Sequence, residues 1–184
     1  MFSWLRTMLD KWQDRTLRPR VVAEHGALVE RALDWSGAGW LELEDRFDLR
    51  FEVLILLVSV RLHDLRHGIP APDGREGLPP DAEERLMRLL WEITFEGFDH
   101  TLRQQGVPDL RMGARMRKLF HHATGRRDAY LAALEGSDAP RLRAAIGRNV
   151  LDGAAGNDPR VTRIMALLYK EFPNSIPEEA EQAP

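Results

Sequence analysis

The chain has 184 residues, no cysteine, 43% hydrophobic residues and a formal net charge of −3 at pH 7. This length suits a single domain, and the apolar content excludes wholesale disorder. The missing cysteine excludes disulfides, thiolate metal sites and a cysteine nucleophile, while the nearly balanced charge argues against a generic nucleic-acid binder, so we expect no DNA partner.

The N-terminal segment, residues 1–19, carries apolar side chains at helical spacing. It predicts an amphipathic helix that ends near Pro19, because proline disrupts a helix interior. Arg6, Lys11 and Arg15 accompany the apolar stripe, so the helix is suited either to a membrane surface or to packing on the domain's own core. The membrane-contact candidates are Phe2, Trp4, Leu5, Met8 and Trp12.

The rest of the chain predicts an all-α fold, a single-domain bundle of about seven helices in all, because strand-like alternation is absent. Residues 47–65 are the most apolar segment and are expected to be buried on most sides. Gly125 is expected to break or kink the segment that contains it. The predicted division is an N-terminal helix (1–19), a helical domain (20–173) and an acidic flexible tail (174–184).

The helix predicted over residues 81–105 carries two stripes. One is apolar and is expected to lie in the core. The other is mostly acidic and is typical of a solvated or internally salt-bridged face, although it also suits a basic partner or a metal. The apolar stripe consists of Leu90, Trp91, Phe95, Phe98 and Leu102, and the acidic stripe of Glu92, Glu96, Asp99 and Arg103.

Residues 111–127 contain six basic side chains and no acidic one. This local positive patch is suited to phosphates of RNA, lipid headgroups or an acidic partner protein. The alternative is that it neutralises the acidic stripe of the preceding helix, since helices joined by a short loop lie side by side. The candidate partner-binding residues are Arg111, Arg115, Lys118, Arg126 and Arg127.

Catalytic motifs are missing from the sequence. His63 and His67 have the i, i+4 spacing of a helical metal site, but the glutamate that follows the first histidine in zinc proteases is replaced by Asp64. No glycine-rich phosphate loop or serine-nucleophile motif occurs. We therefore predict no catalytic residue, no metal and no cofactor.

Several segments between residues 50 and 152 form a recognisable pattern, among them Val58–Leu62, the run from Leu90 through Leu110 and the Arg148-Asn149 pair. Together these segments resemble the ubiquinol-cytochrome c chaperone family. At His121-His122 the chain departs from the family, which more often has an aromatic residue there. The family-motif positions are Arg61, Trp91, Phe95, Asp99, Arg103, Gly106, Asp109, Gly125, Tyr130, Arg148 and Asn149.

The resemblance implies a bacterial assembly factor of the cytochrome bc1 complex. It implies cytochrome b or another bc1 subunit as the client, with no catalytic residue to carry over. A ribosome or an anionic membrane surface is a further expected partner. The alternative is a membrane-surface or ribosome-associated binding module with no bc1 role. We expect a cytoplasmic protein, either free or peripheral at the inner membrane.

Overall fold

The computed structural model of the chain describes residues 3–37, 39, 41, 43, 44, 46–69 and 83–177, with side chains from residue 14 onward. Within these residues the chain forms six helices and no strand. The all-α prediction is confirmed, and the predicted number of about seven helices is corrected to six. The helices are α1 (Ser3–Gly37), α2 (Phe47–Arg66), α3 (Glu83–Gln104), α4 (Asp109–Glu135), α5 (Ala139–Asn149) and α6 (Pro159–Glu171).

The predicted end of the first helix near Pro19 is wrong, because α1 continues through this proline for 35 residues in total. A proline in a helix interior costs about 3 kcal/mol through a lost hydrogen bond and a steric clash. Packing on both sides of the proline offsets that cost, since Leu17 and Val21 both contact the core. Tertiary contacts therefore override the local signal.

The membrane-contact candidates fall in the part of α1 that precedes the described side chains. Phe2 lies outside the described residues altogether. For Trp4, Leu5, Met8 and Trp12 the structure describes the helical backbone and nothing of the side chains. Their contact with a membrane stays a prediction.

The predicted break at Gly125 is also wrong, because α4 is continuous from Asp109 to Glu135. A glycine in a helix interior costs only about 1 kcal/mol relative to alanine. Ala123 and Tyr130 on either side of it are both buried, so their packing holds the two halves in one helix.

Helix α2 forms the centre of the bundle. Every residue from Val53 to Leu65 is buried, and the helix contacts α1, α3 and α4. This confirms the expectation from its apolar sequence. Helix α5 packs against α4, and α6 packs against α5. Among the described helices, none is long and apolar enough to cross a membrane.

Packing reaches further toward the C-terminus than the predicted boundary at residue 173. Ser175 and Ile176 are buried, and the hydroxyl of Tyr169 donates a hydrogen bond to the carbonyl oxygen of Pro177. The core therefore extends at least to Ile176. Residues 178–184 of the predicted tail lie outside the described residues.

Candidate interaction surface

The carboxylates of the acidic stripe on α3 form ion pairs with arginines of α1 and α3. Each of its carboxylates has a guanidinium partner, as expected for an internally salt-bridged face. The pairs are Glu92–Arg88 (3.1 Å), Glu96–Arg18 and Asp99–Arg103 (2.7 Å).

The first half of α4 carries cations that have no such partners. Of residues 110–122, only Met112 is buried. Arg111, Arg115 and Lys118 are exposed, and among the described residues no carboxylate lies within 4.0 Å of their charged groups. Among the described residues this segment forms no ion pair with the acidic stripe of α3, whose carboxylates pair with Arg18, Arg88 and Arg103 instead. That its charge balances the stripe at longer range stays a prediction.

The other two candidates for partner binding have different surroundings. Arg126 forms an ion pair with Glu52 of α2, and the guanidinium of Arg127 lies over the ring of Trp91 at 4.8 Å. The exposed positive charge is therefore concentrated in the first half of α4, where Arg117 adds one more cation. The basic face consists of Arg111, Arg115, Arg117 and Lys118.

A groove of about 870 Å³ lies between α3 and α4 beside the basic face. Three aromatic side chains form a cluster in its wall, since the ring centroid of Phe95 lies 5.0 Å from that of Phe120 and 5.2 Å from that of Trp91. Phe120 keeps 49% of its surface exposed. We call this the α3–α4 groove; it is lined by Trp91, Glu92, Phe95, Glu96, Asp99, Met116, Arg117 and Phe120.

The predicted apolar stripe of α3 divides between the core and this groove. Leu90, Phe98 and Leu102 are buried as predicted. Trp91 and Phe95 are only partly buried, and their exposed edges line the groove. Sequence spacing alone does not separate these two groups, because all five residues lie on one side of the helix.

The turn between α3 and α4 fixes the two walls of the groove. Gly106 has a φ of +79°, a conformation that favours glycine, and the backbone N–H of Val107 donates to the carbonyl oxygen of Leu102 at 3.1 Å. Arg103 bridges the turn by an ion pair with Asp109 at 2.6 Å. Helix α4 therefore returns along α3 after only four residues.

A family sequence model described as Ubiquinol-cytochrome C chaperone matches residues 40–172 of the chain. The chain belongs to this family. Among solved structures, the crystal structure of the Cbp3 homolog from Brucella abortus is similar, with a TM-score of 0.61 and 22% sequence identity over 98% of this chain and 99% of that chain. That likeness shows the fold. The comparison with curated proteins gave no match.

Membership of the ubiquinol-cytochrome C chaperone family confirms the resemblance seen in the sequence. It implies a chaperone role rather than an enzymatic one. The family-motif positions fall into three places in the fold. Those from Trp91 to Asp109 build the groove and the turn, and the others lie in the core or around the junction of α4 with α5.

Arg61 is the family-motif position at the centre of the chaperone fold, with only 3% of its surface exposed. It forms an ion pair with Glu24 of α1 and donates from Nη1 to the carbonyl oxygen of Ile69 at 2.9 Å. The carboxylate of Asp64, itself buried, lies 3.8 Å away. Arg61 therefore joins α1 to the C-terminal end of α2 and to the residues that follow it.

A second polar cluster lies where α2, α4 and α5 meet. Burial raises the pKa of Glu52 to about 7, although its hydrogen bond with Arg126 acts in the opposite direction. Burial also raises the pKa of Tyr130, and the neighbouring Asn149 opposes this shift. The family-motif positions in or beside this cluster are Gly125, Tyr130, Arg148 and Asn149.

Proposed function

We propose that this chain is a non-enzymatic assembly chaperone of the cytochrome bc1 (ubiquinol-cytochrome c reductase) complex and that it binds newly made cytochrome b. The observation that carries the proposal is the family match over residues 40–172. A chaperone of this kind needs a surface for an apolar client, and the α3–α4 groove is the best candidate among the described residues.

The groove has two properties that suit such a client. Its aromatic walls favour an apolar segment, because burying apolar surface contributes about 25 cal/mol per Å². Each carboxylate of its acidic rim pairs with an arginine, whereas the cations of the basic face have no carboxylate partner among the described residues. These unpaired cations beside the groove favour an apolar helix flanked by acidic residues.

Deleting the gene and measuring assembled cytochrome bc1 tests the proposal. We expect the amount of spectroscopically detected bc1 complex to fall and to recover when the wild-type gene is returned. Normal bc1 levels in the deletion strain contradict the proposed role. Crosslinking from a photoreactive residue at position 120 is expected to trap cytochrome b.

Complementation with variants separates the groove from the fold. Phe120→Asp places a charge on the aromatic wall at a side chain that is 49% exposed, so folding is preserved while client binding is lost. Arg115→Glu combined with Lys118→Glu reverses part of the basic face. The matched control is Arg141→Glu on α5, an exposed arginine far along the chain from the groove, which is expected to restore bc1 fully.

A second function is favoured by one observation on the first half of α4. Leu110 is completely exposed and adjoins Arg111, a combination typical of a segment that contacts anionic membrane surfaces. The chain would then be a binding module at the inner membrane or the ribosome without a bc1 role. Salt-sensitive binding to phosphatidylglycerol vesicles or ribosomes, with normal bc1 in the deletion strain, distinguishes this function from the first.

A further inference from the structure

A second, smaller pocket of about 260 Å³ lies between α4 and the C-terminal end of α5. By helical periodicity its α4 residues lie on the opposite flank of the buried face from the α3–α4 groove. We call it the α4–α5 pocket. It is lined by His121, His122, Gly125, Arg126, Arg148 and Asn149.

The α4–α5 pocket has more hydrogen-bond donors than acceptors. The exposed guanidinium of Arg148 has no hydrogen bond or ion pair with any described residue. Arg126 uses Nε for Glu52 and Nη1 for the carbonyl oxygen of His122 at 3.4 Å, which leaves its Nη2 without an acceptor there. The buried Nδ2 of Asn149 lies beside the hydroxyl of Tyr130, whose pKa it lowers, so it is not counted among the free donors.

The charge balance of the pocket is positive. No carboxylate is among the lining residues, and Glu52, which pairs with Arg126, is largely buried. The C-terminal end of α5 opposes an anion with a partial charge of about −0.5, but the full charge of Arg148 exceeds it. The pKa of His122 is consistent with this excess of positive charge, since partial burial and the charges of Arg126 and Lys118 lower it.

We propose that the α4–α5 pocket binds an oxyanion of the phosphate class, held by Arg148 together with Arg126 and the imidazoles of His121 and His122. The donors belong to α4 and α5, so they line the pocket from more than one side. A tetrahedral oxyanion accepts hydrogen bonds on several sides, whereas a carboxylate accepts them in one plane. The inference goes beyond the proposed chaperone function, because the groove and the client contact take no part in it.

The test uses the full chain and inorganic phosphate as the probe, with the imidazole resonances followed by NMR. We expect a saturable change at His121 and His122 and a rise in the pKa of His122 when phosphate is added. Arg148→Ala is expected to weaken phosphate binding at least tenfold. Arg141→Ala, which removes an exposed arginine from the same helix outside the pocket, is expected to leave it unchanged.

Three further arms decide the chemistry and its source. Sodium chloride at matched ionic strength is expected to produce no saturable change, and an equal response to it overturns the proposal. Acetate that binds as tightly as phosphate overturns the phosphate class. Vesicles of phosphatidylcholine with phosphatidylglycerol that bind in an Arg148-dependent manner identify a lipid headgroup as the source, whereas free phosphate alone identifies a soluble one. If neither free phosphate nor the vesicles bind, the proposed site is overturned. None of these outcomes depends on bc1 levels.

Discussion

Glu52 on α2 and Arg126 on α4 form an ion pair beneath the surface, with 13% and 24% of their side chains exposed. The pair joins α4 to the central helix α2, against which α4 packs. Burial nevertheless keeps the pKa of Glu52 near 7, so this carboxyl group changes its charge at physiological pH. The folding stability therefore depends on pH through this group.

The first prediction concerns pH and folding. The folded state binds the Glu52 proton more tightly than the unfolded state, whose carboxyl has a pKa of 4.5, so the stabilisation present below pH 4.5 is lost as the pH rises to about 7. Glu52→Gln cannot lose a proton there. We expect the free energy of unfolding of this variant, relative to wild type, to increase by about 3 kcal/mol between pH 5 and pH 8.

Urea denaturation at several pH values measures this difference. The matched control is Asp152→Asn, an exposed carboxyl at a position with a φ of +52° that asparagine tolerates well. This variant is expected to follow the wild-type pH profile. Parallel profiles for wild type and Glu52→Gln contradict the raised pKa of Glu52.

The second prediction compares one substitution at two helical glycines. Gly125→Ala is expected to stabilise the fold by about 1 kcal/mol, because alanine favours the helix and the added Cβ meets nothing within 4 Å. Gly147→Ala is expected to destabilise it by about 1–3 kcal/mol, since its Cβ would lie 2.2 Å from the carbonyl oxygen of Ala154. Thermal unfolding of both variants checks the opposite signs; a shift in the same direction contradicts the close approach at Gly147.

The third prediction concerns the buried arginine. Arg61→Met leaves Glu24 and Asp64 without their cation in the interior, so it is expected to destabilise the fold by about 3–5 kcal/mol. The comparison is Arg18→Met, which removes an ion pair whose side chains are 43% and 57% exposed. That change is expected to cost less than about 1 kcal/mol. Chemical denaturation gives both values, and equal losses would refute the central role of Arg61.

The fourth prediction concerns the unequal halves of α4. Backbone amides of residues 110–122 are expected to exchange with deuterium faster than those of residues 123–134, because the first half has few buried contacts. Hydrogen-exchange mass spectrometry on the full chain measures this. Uniform protection along α4 would show that the first half is stabilised by contacts beyond those described.

Local signals in the sequence predicted the helices and several of their ends. Helix α3 ends at Gln104, next to the end of its predicted range at residue 105, and the side chains of Asp138 and Asp158 cap α5 and α6 by accepting backbone hydrogen bonds at 2.9 Å and 2.8 Å. These features depend on neighbours within a few residues. The continuity of α1 through Pro19 and of α4 through Gly125 depends on packing with other helices, which the local pattern does not contain.

The candidate surface was only partly predictable for the same reason. The charges of α4 were evident from composition, but Arg115 and Arg126 look alike in sequence. They differ because Glu52, 74 residues before Arg126, reaches that arginine alone. Likewise, Glu96 pairs with Arg18 from 78 residues away, so no local pattern decides which cations stay unpaired.

The division of α4 into a buried second half and an exposed first half has a consequence for which substitutions this protein tolerates during evolution. Substitutions among residues 110–122 alter the binding surface while the free energy of folding stays nearly constant, because little of that segment is buried. Under the proposed function, client preference and fold stability are therefore under separate genetic control in this half of α4. The α4 wall of the groove can be retuned for a new client with few compensating changes in the core.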